Sequence, residues 1–163
     1  MKSISHGLLN AIKATRNAIF ELSPPQLNEI GLIAAISDWM DEEVTGKHGI
    51  EVNLTGDNKI FPLDENIRIL VFRFIRELLI NVVKHADATQ VNVDLVEKEE
   101  NLFVFIKDNG KGFKYKPEML QKKGAGFGIF SIQQRIEDIG GRLEIDTAPG
   151  KGTIIKLVVS LTN

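Results

Sequence analysis

Arg73, Glu77, Asn81, Lys84 and His85 follow one another at spacings of 4, 4, 3 and 1. On a helix that advances about 100° per residue they share one sector, opposite an apolar side made by Val71, Ile75, Leu78, Leu79 and Val82. The stripe stacks a carboxylate, an amide oxygen and potential cations above one another. Carboxylate and amide oxygens can hold or orient a hard ion such as magnesium and its waters, and a lysine beside them can meet phosphate oxygens. A solvated polar face on an ordinary surface helix has the same spacing, so the stripe alone leaves both possibilities open.

Three glycine-bearing stretches follow. "KDNGKGF", residues 107–113, comes after the apolar run "LFVFI" and could be a hairpin turn, a calcium loop or a pocket wall. The calcium loop fails: with Asp108 at its first position, Gly110 and Gly112 would stand at the third and fifth, where oxygen ligands are needed. "KKGAGFGIFSI", residues 122–132, alternates Gly124, Gly126 and Gly128 directly before a helix. Such glycines let backbone N–H groups approach an anion that the helix N-terminus also favours. The pattern matches neither the dinucleotide fingerprint nor the P-loop, and a flexible linker fits it too. "APGKGTIIKL" sets Gly150, Gly152 and Thr153 at the entrance to a strand, where a plain hairpin turn is the simpler account.

The elements that must position these residues are legible in the periodicity. Residues 3–22 predict a helix whose Leu8, Ile12, Thr15, Ile19 and Leu22 form a 4-3-4-3 seam, too short to stand alone. Ser23, Pro24 and Gln26 suit the start of a second helix running to about residue 44. "GIEVNLTG" reads as a strand. Residues 64–85 give the strongest helix signal, with Asp64 as its cap. "TQVNVDLV" and "NLFVFIKD" read as strands joined by a charged turn, a helix over 127–139 stops at Gly140-Gly141, and "RLEIDT" and "GTIIKLVVSL" read as two final strands. The order predicts an α+β two-layer sandwich, a mixed, mostly antiparallel sheet covered by helices on one face, with an N-terminal helical extension.

Composition narrows the class. The 163 residues suit one domain, and 43% hydrophobic residues are enough for a sizeable core. Twenty-two acidic against 20 basic residues, net charge −2, argue against a dedicated nucleic-acid binder. Without cysteine there are no disulfides, thiolate metal sites or cysteine nucleophiles. No apolar run reaches a membrane span and no signal-peptide core opens the chain, so a cytoplasmic setting without direct membrane contact is expected.

As an ordered set, "RELLINVVKHADA", "DNGKGF", "GAGFGIFSIQQRIEDIGG" and "GKGTIIKL" closely resemble the N, G1 and G2 boxes and following strand of the GHKL (Bergerat-type) ATP-binding superfamily, which includes gyrase, MutL, certain chaperones and sensor histidine kinases. "GRLEIDTAPGKGT" is similar to histidine kinases in particular. The Gln-Gln-Arg after the glycine segment and "LSPPQLNEIGLIAAI" look like the NarX/DesK subfamily.

The resemblance implies a role for each matching position. Asn81 would give an oxygen to a Mg²⁺ bridging the ATP phosphates, and Glu77 would orient the phosphoacceptor or accept its proton. Lys84 and His85 would line the phosphate or ribose side. Asp108 would accept a hydrogen bond from the adenine amino group, with Gly110 and Gly112 letting the backbone pass beneath the base. Gly124, Gly126 and Gly128 would hinge an ATP lid, Phe113 and Phe127 would line the nucleotide, and Thr153 would support Asp108. Residues 1–23 would be the remnant of a second dimerisation helix and 24–163 the ATP-binding catalytic domain. In the subfamily the phosphoacceptor histidine lies upstream of such a helix, within an acidic motif; His6, His48 and His85 are the only histidines here, and His6 has no acidic neighbour. The expectation is a fragment that binds ATP and Mg²⁺ but does not autophosphorylate, its parent a homodimer that passes phosphate to a response regulator. A GHKL serine kinase of the anti-sigma-factor type and a non-enzymatic regulatory module are the alternatives.

Overall fold

The computed structural model describes residue 27 and residues 29–56, 61–116 and 127–162, and for Phe127 the backbone alone. The helix expected over 3–22, the cap at Ser23–Gln26, the boundary after residue 23, and Gly124 and Gly126 lie outside the described residues.

Helix α1 spans Gly31–Met40 and continues through a π-turn, Asp41–Thr45, and a last α-turn, Gly46–His48. It starts later than expected, at Gly31, left-handed at φ 84°, after turns at Leu27, Glu29 and Ile30, and it outruns the expected end near residue 44 because its stop is Gly49, left-handed at φ 66°, whose N–H bonds Thr45 O at 2.9 Å. Helix α2, Glu65–Asn81, starts as expected: the Asp64 carboxylate accepts from Asn66 N–H at 2.8 Å. A π-turn, Val82–Ala86, closes it at Asp87, φ 51°. Val71, Phe72, Phe74, Ile75, Leu78, Leu79 and Val82 are buried, so the apolar sector faces the core.

The strands are β1 (Glu51–Gly56), β2 (Gln90–Lys98), β3 (Asn101–Asp108), β4 (Arg142–Thr147) and β5 (Thr153–Ser160), in the order β1-β2-β3-β5-β4. Among the described strands only β1 and β2 pair in parallel, and α2 lies in the crossover that a parallel pair requires. Strand β2 reaches Lys98, past the expected end at Val96, because Glu99 and Glu100 alone make the turn with φ of 52° and 59°. Helix α3, Phe127–Asp138, ends where Gly141 N–H bonds Ile136 O at 2.8 Å.

One face of the sheet is buried under the helices. Across β3, β5 and β4 its rows read Val104, Leu157, Leu143, then Ile106, Ile155, Ile145. The next row is polar: Asp108, Thr153, Thr147. The alternation that fills the core therefore carries three oxygen-bearing side chains to the sheet's end, beside the C-terminus of α2. Among the described residues no helix is long and apolar enough to cross a membrane.

Candidate functional site

At that end a cavity of about 660 Å³ opens between α2, the loop after β3, the start of α3 and the start of β5. Its lining brings together Asn81, Lys84, His85, Asp108, Gly112, Phe113, Gly128 and Thr153, all singled out in the sequence. Leu78, Val82, Ile129 and Ile155 add apolar walls, and Lys111 a further cation. A polar floor, apolar sides and cations at the rim suit a ligand with a flat apolar part and an anionic tail.

Asp108 is 5% exposed and Thr153 8%, the two buried polar residues among the described ones. Asp108 Oδ1 accepts from Gly110 N–H at 2.8 Å, and Thr153 stands opposite Asp108 in the β3–β5 pair, where its N–H and hydroxyl favour the charged carboxylate. Burial raises the Asp108 carboxyl above its ordinary value, and the Gly110 N–H and the polar groups of Thr153 pull it part of the way back. Among the described residues no cation contributes to the balance. A buried carboxylate with few donors is primed to take another from a ligand.

The loop after β3 is fixed by the chain itself. Asn109 Oδ1 accepts from Thr89 N–H (2.9 Å) and Gln90 N–H (3.0 Å), while its amide donates to Thr89 Oγ1 at 2.8 Å. Lys111 N–H bonds Ala86 O at 2.7 Å, Gly150 N–H bonds Lys111 O at 2.6 Å, and Lys111 Nζ stands 2.7 Å from Asp87 Oδ2. The tight approaches at the two glycines are to the chain's own backbone: a Cβ on Gly110 would overlap Ala86 O, and one on Gly112, at φ 55°, would overlap Ala148 O. The loop is thus clamped between the end of α2 and the turn before β5.

Along α2 the stripe is partly drawn in: Glu77 and Asn81 are half-buried, and Lys84 and His85 stay exposed at the rim. Glu77 is not part of the cavity lining, yet it meets the start of α3, where a Cβ on Gly128 would stand 2.6 Å from Glu77 Oε1 and 3.4 Å from Asn81 Nδ2. Arg73, on the same stripe, does not line the cavity. Among the described residues no three His, Cys, Asp or Glu side chains gather as a metal cage. Asn81 fits a metal that takes most of its ligands from phosphate and water. Phe113 is 37% exposed and sits edge-on to Tyr115, ring centroids 6.3 Å apart, at the cavity mouth.

Thr147, Asn109 and Lys111 escaped the sequence reading. Continuing the inward alternation of Leu143 and Ile145 by two residues would have found Thr147. A second cavity of about 360 Å³ lies between α1 and α2, lined by Trp39, Glu42, His48, Arg76 and Val83 among others; Lys84 borders both. Among the described residues its lining includes neither the buried carboxylate nor a glycine.

The sequence matches, over residues 66–163, the family described as "Histidine kinase-, DNA gyrase B-, and HSP90-like ATPase". It is 32% identical over 162 residues to the oxygen sensor histidine kinase NreB of Staphylococcus carnosus (strain TM300), covering 99% of this chain and 46% of that protein. It is 33% identical over 155 residues to the signal transduction histidine-protein kinase/phosphatase DegS of Brevibacillus brevis, covering 94% of this chain and 38% of that one. The chain thus spans less than half the length of these relatives. The fold is similar to that of the Erythrobacter litoralis EL346 blue-light activated histidine kinase (TM-score 0.67, 20% identity, 80% of this chain and 42% of that one). It is also similar to the Acinetobacter baumannii histidine kinase AdeS (TM-score 0.61, 15% identity, 100% of this chain and 86% of that one). With the matched family spanning more than half of its length, the chain belongs to the histidine kinase-, DNA gyrase B- and HSP90-like ATPases, as their ATP-binding domain.

Proposed function

We propose that this chain is the ATP–Mg²⁺-binding catalytic part of a two-component sensor histidine kinase. It transfers the γ-phosphoryl group of ATP to a histidine outside this chain, on a dimerisation domain of the parent protein, for relay to a response regulator. The parent is a homodimer and this part works in the cytoplasm, where its ATP is. The observation that carries the proposal is the convergence of Asp108, Asn81, Lys84 and the start of α3 on one cavity, in a chain similar over nearly its whole length to two histidine kinases.

In this proposal Asp108 accepts from the adenine amino group, and Phe113, Ile129 and Ile155 flank the ring. Lys84 and His85 meet the phosphates, and the N-terminus of α3, with Gly124, Gly126 and Phe127 ahead of or at it, closes over them. Asn81 is the protein's ligand to magnesium, which would neutralise phosphate charge. Phosphoryl transfer needs positioning and charge neutralisation more than covalent help from the protein. Glu77, at the junction of α2 and α3, orients the incoming imidazole and takes its proton.

The test supplies the chain with labelled ATP, magnesium and a separately produced dimerisation domain carrying the acceptor histidine. The expected product is acid-labile phosphate on that domain and none on the chain itself. An acid-stable phosphoserine on a protein substrate would replace the proposal with the anti-sigma-type serine kinase.

A further inference from the structure

Thr147 ends β4 and does not line the cavity, yet its hydroxyl is the junction of the parts that do. Thr147 Oγ1 accepts from Phe113 N–H at 3.2 Å, lies 2.9 Å from Gly152 O, to which it donates, and stands 3.1 Å from Thr153 Oγ1. It thereby joins the loop after β3, the turn before β5 and the threonine that stands opposite Asp108. All three side chains belong to one row of the sheet's covered face, Asp108 opposite Thr153 and Thr153 opposite Thr147.

Hydrogen counting makes the junction directional. Each threonine hydroxyl has one hydrogen. Thr147 donates its hydrogen to Gly152 O, so the Thr153 hydrogen can turn to Thr147 Oγ1 or toward Asp108, opposite it in the sheet. A charged Asp108 carboxylate draws that hydrogen more strongly than a neutral oxygen does. In both states Thr147 keeps a lone pair for Phe113 N–H, so the loop stays anchored while the Thr153 hydroxyl reorients.

We propose, resting on the nucleotide site proposed above, that Thr147 is a positioning residue for recognition of the purine amino group, holding Thr153 and the Phe113 backbone so that Asp108 presents its acceptor oxygen to the ligand. Thr147 touches no ligand itself. A ligand without an amino group at that place shares only the Phe113 anchor, so losing the Thr147 hydroxyl weakens the amine-bearing ligand more. A packing role would instead affect all nucleotides alike.

The test measures the affinity of the chain for ATP and for the same triphosphate with hydrogen in place of the 6-amino group, in wild type, Thr147→Val and Thr147→Ser, with melting curves to establish folding. Wild type should prefer ATP. Thr147→Val should weaken ATP about tenfold and the deaminated analogue less than about twofold, and Thr147→Ser should restore the preference. If Thr147→Val does not fold, Thr147→Ala compared with Thr147→Ser carries the same contrast. Equal loss for both nucleotides, or no loss, in a folded variant overturns the role of Thr147 while leaving the nucleotide site standing. A wild-type chain that binds neither nucleotide overturns that site and this inference with it.

Discussion

Gly110 lies against the carbonyl of Ala86 with no room for a side chain: a Cβ would overlap the oxygen and stand 2.8 Å from the carbonyl carbon. The loop after β3 is held to the end of α2 by this contact and by the Lys111 N–H bond to Ala86 O. Gly110→Ala should destabilise the fold by about 1–3 kcal/mol, the usual result of overpacking against backbone that cannot yield, and weaken nucleotide binding with it. Gly140 has a left-handed backbone, φ 73°, but nothing within 4 Å of its Cβ position. Gly140→Ala should therefore carry only backbone strain, about 1–2 kcal/mol, and leave nucleotide affinity intact. Thermal melts of both variants, with and without nucleotide, separate the two effects.

Asp108→Asn sets stability against function. Asn keeps the acceptor for Gly110 N–H and removes a charge from a site that is 5% exposed. The empty variant should melt no lower than wild type at neutral pH, and higher if its amide finds Thr153. Nucleotide affinity should fall by at least about tenfold, because a hydrogen bond to a charged acceptor contributes about 1.5–3 kcal/mol and the amide hydrogens would face the ligand's amino group. Calorimetric titration beside the melting curve reads both.

The raised carboxyl of Asp108 gives opposite pH slopes to the empty and the loaded protein. Its native value lies above the ordinary 3.8, so the native state holds the proton more tightly than the unfolded chain. This contribution to stability is complete below 3.8 and is lost as pH rises through the native value. Nucleotide binding uses the charged form and should weaken as pH falls through that same value. Both slopes should be absent in Asp108→Asn, which titrations and melts across the acidic range would reveal.

Glu77→Gln should separate binding from transfer. Its carboxylate abuts Gly128 at the start of α3 and does not line the cavity. ATP affinity should stay within about twofold of wild type. Transfer to an added acceptor histidine should fall by about a hundredfold or more, the usual contribution of a general base. Gly128→Ala, which pushes that carboxylate aside, should lower transfer in the same direction.

The apolar sector of α2, its Asp64 cap and the five strands were legible because 3.6- and 2-residue periods mark buried faces directly. The co-location of Asn81, Lys84, His85 and Asp108 followed from the order of the motifs. What escaped lies in backbone geometry and register. The π-turns at Asp41–Thr45 and Val82–Ala86 have no residue signature separate from an α-helix. The turn at Glu99–Glu100 uses left-handed residues that propensity assigns to glycine or asparagine. Asn109 looked like the asparagine of an Asn-Gly turn, but its side chain locks Thr89 and Gln90. Thr147 is an ordinary strand residue until the pairing of β4 with β5 sets it beside Thr153.

The most direct measurement is calorimetric titration of the chain with a non-hydrolysable ATP analogue, with and without magnesium, paired with thermal melts. A domain that binds this ligand should take up one equivalent, more tightly with magnesium, and at a hundredfold excess over Kd gain about 2.7 kcal/mol of stability. A folded wild-type chain that shows neither binding heat nor a rise in melting temperature would contradict the nucleotide site at Asp108.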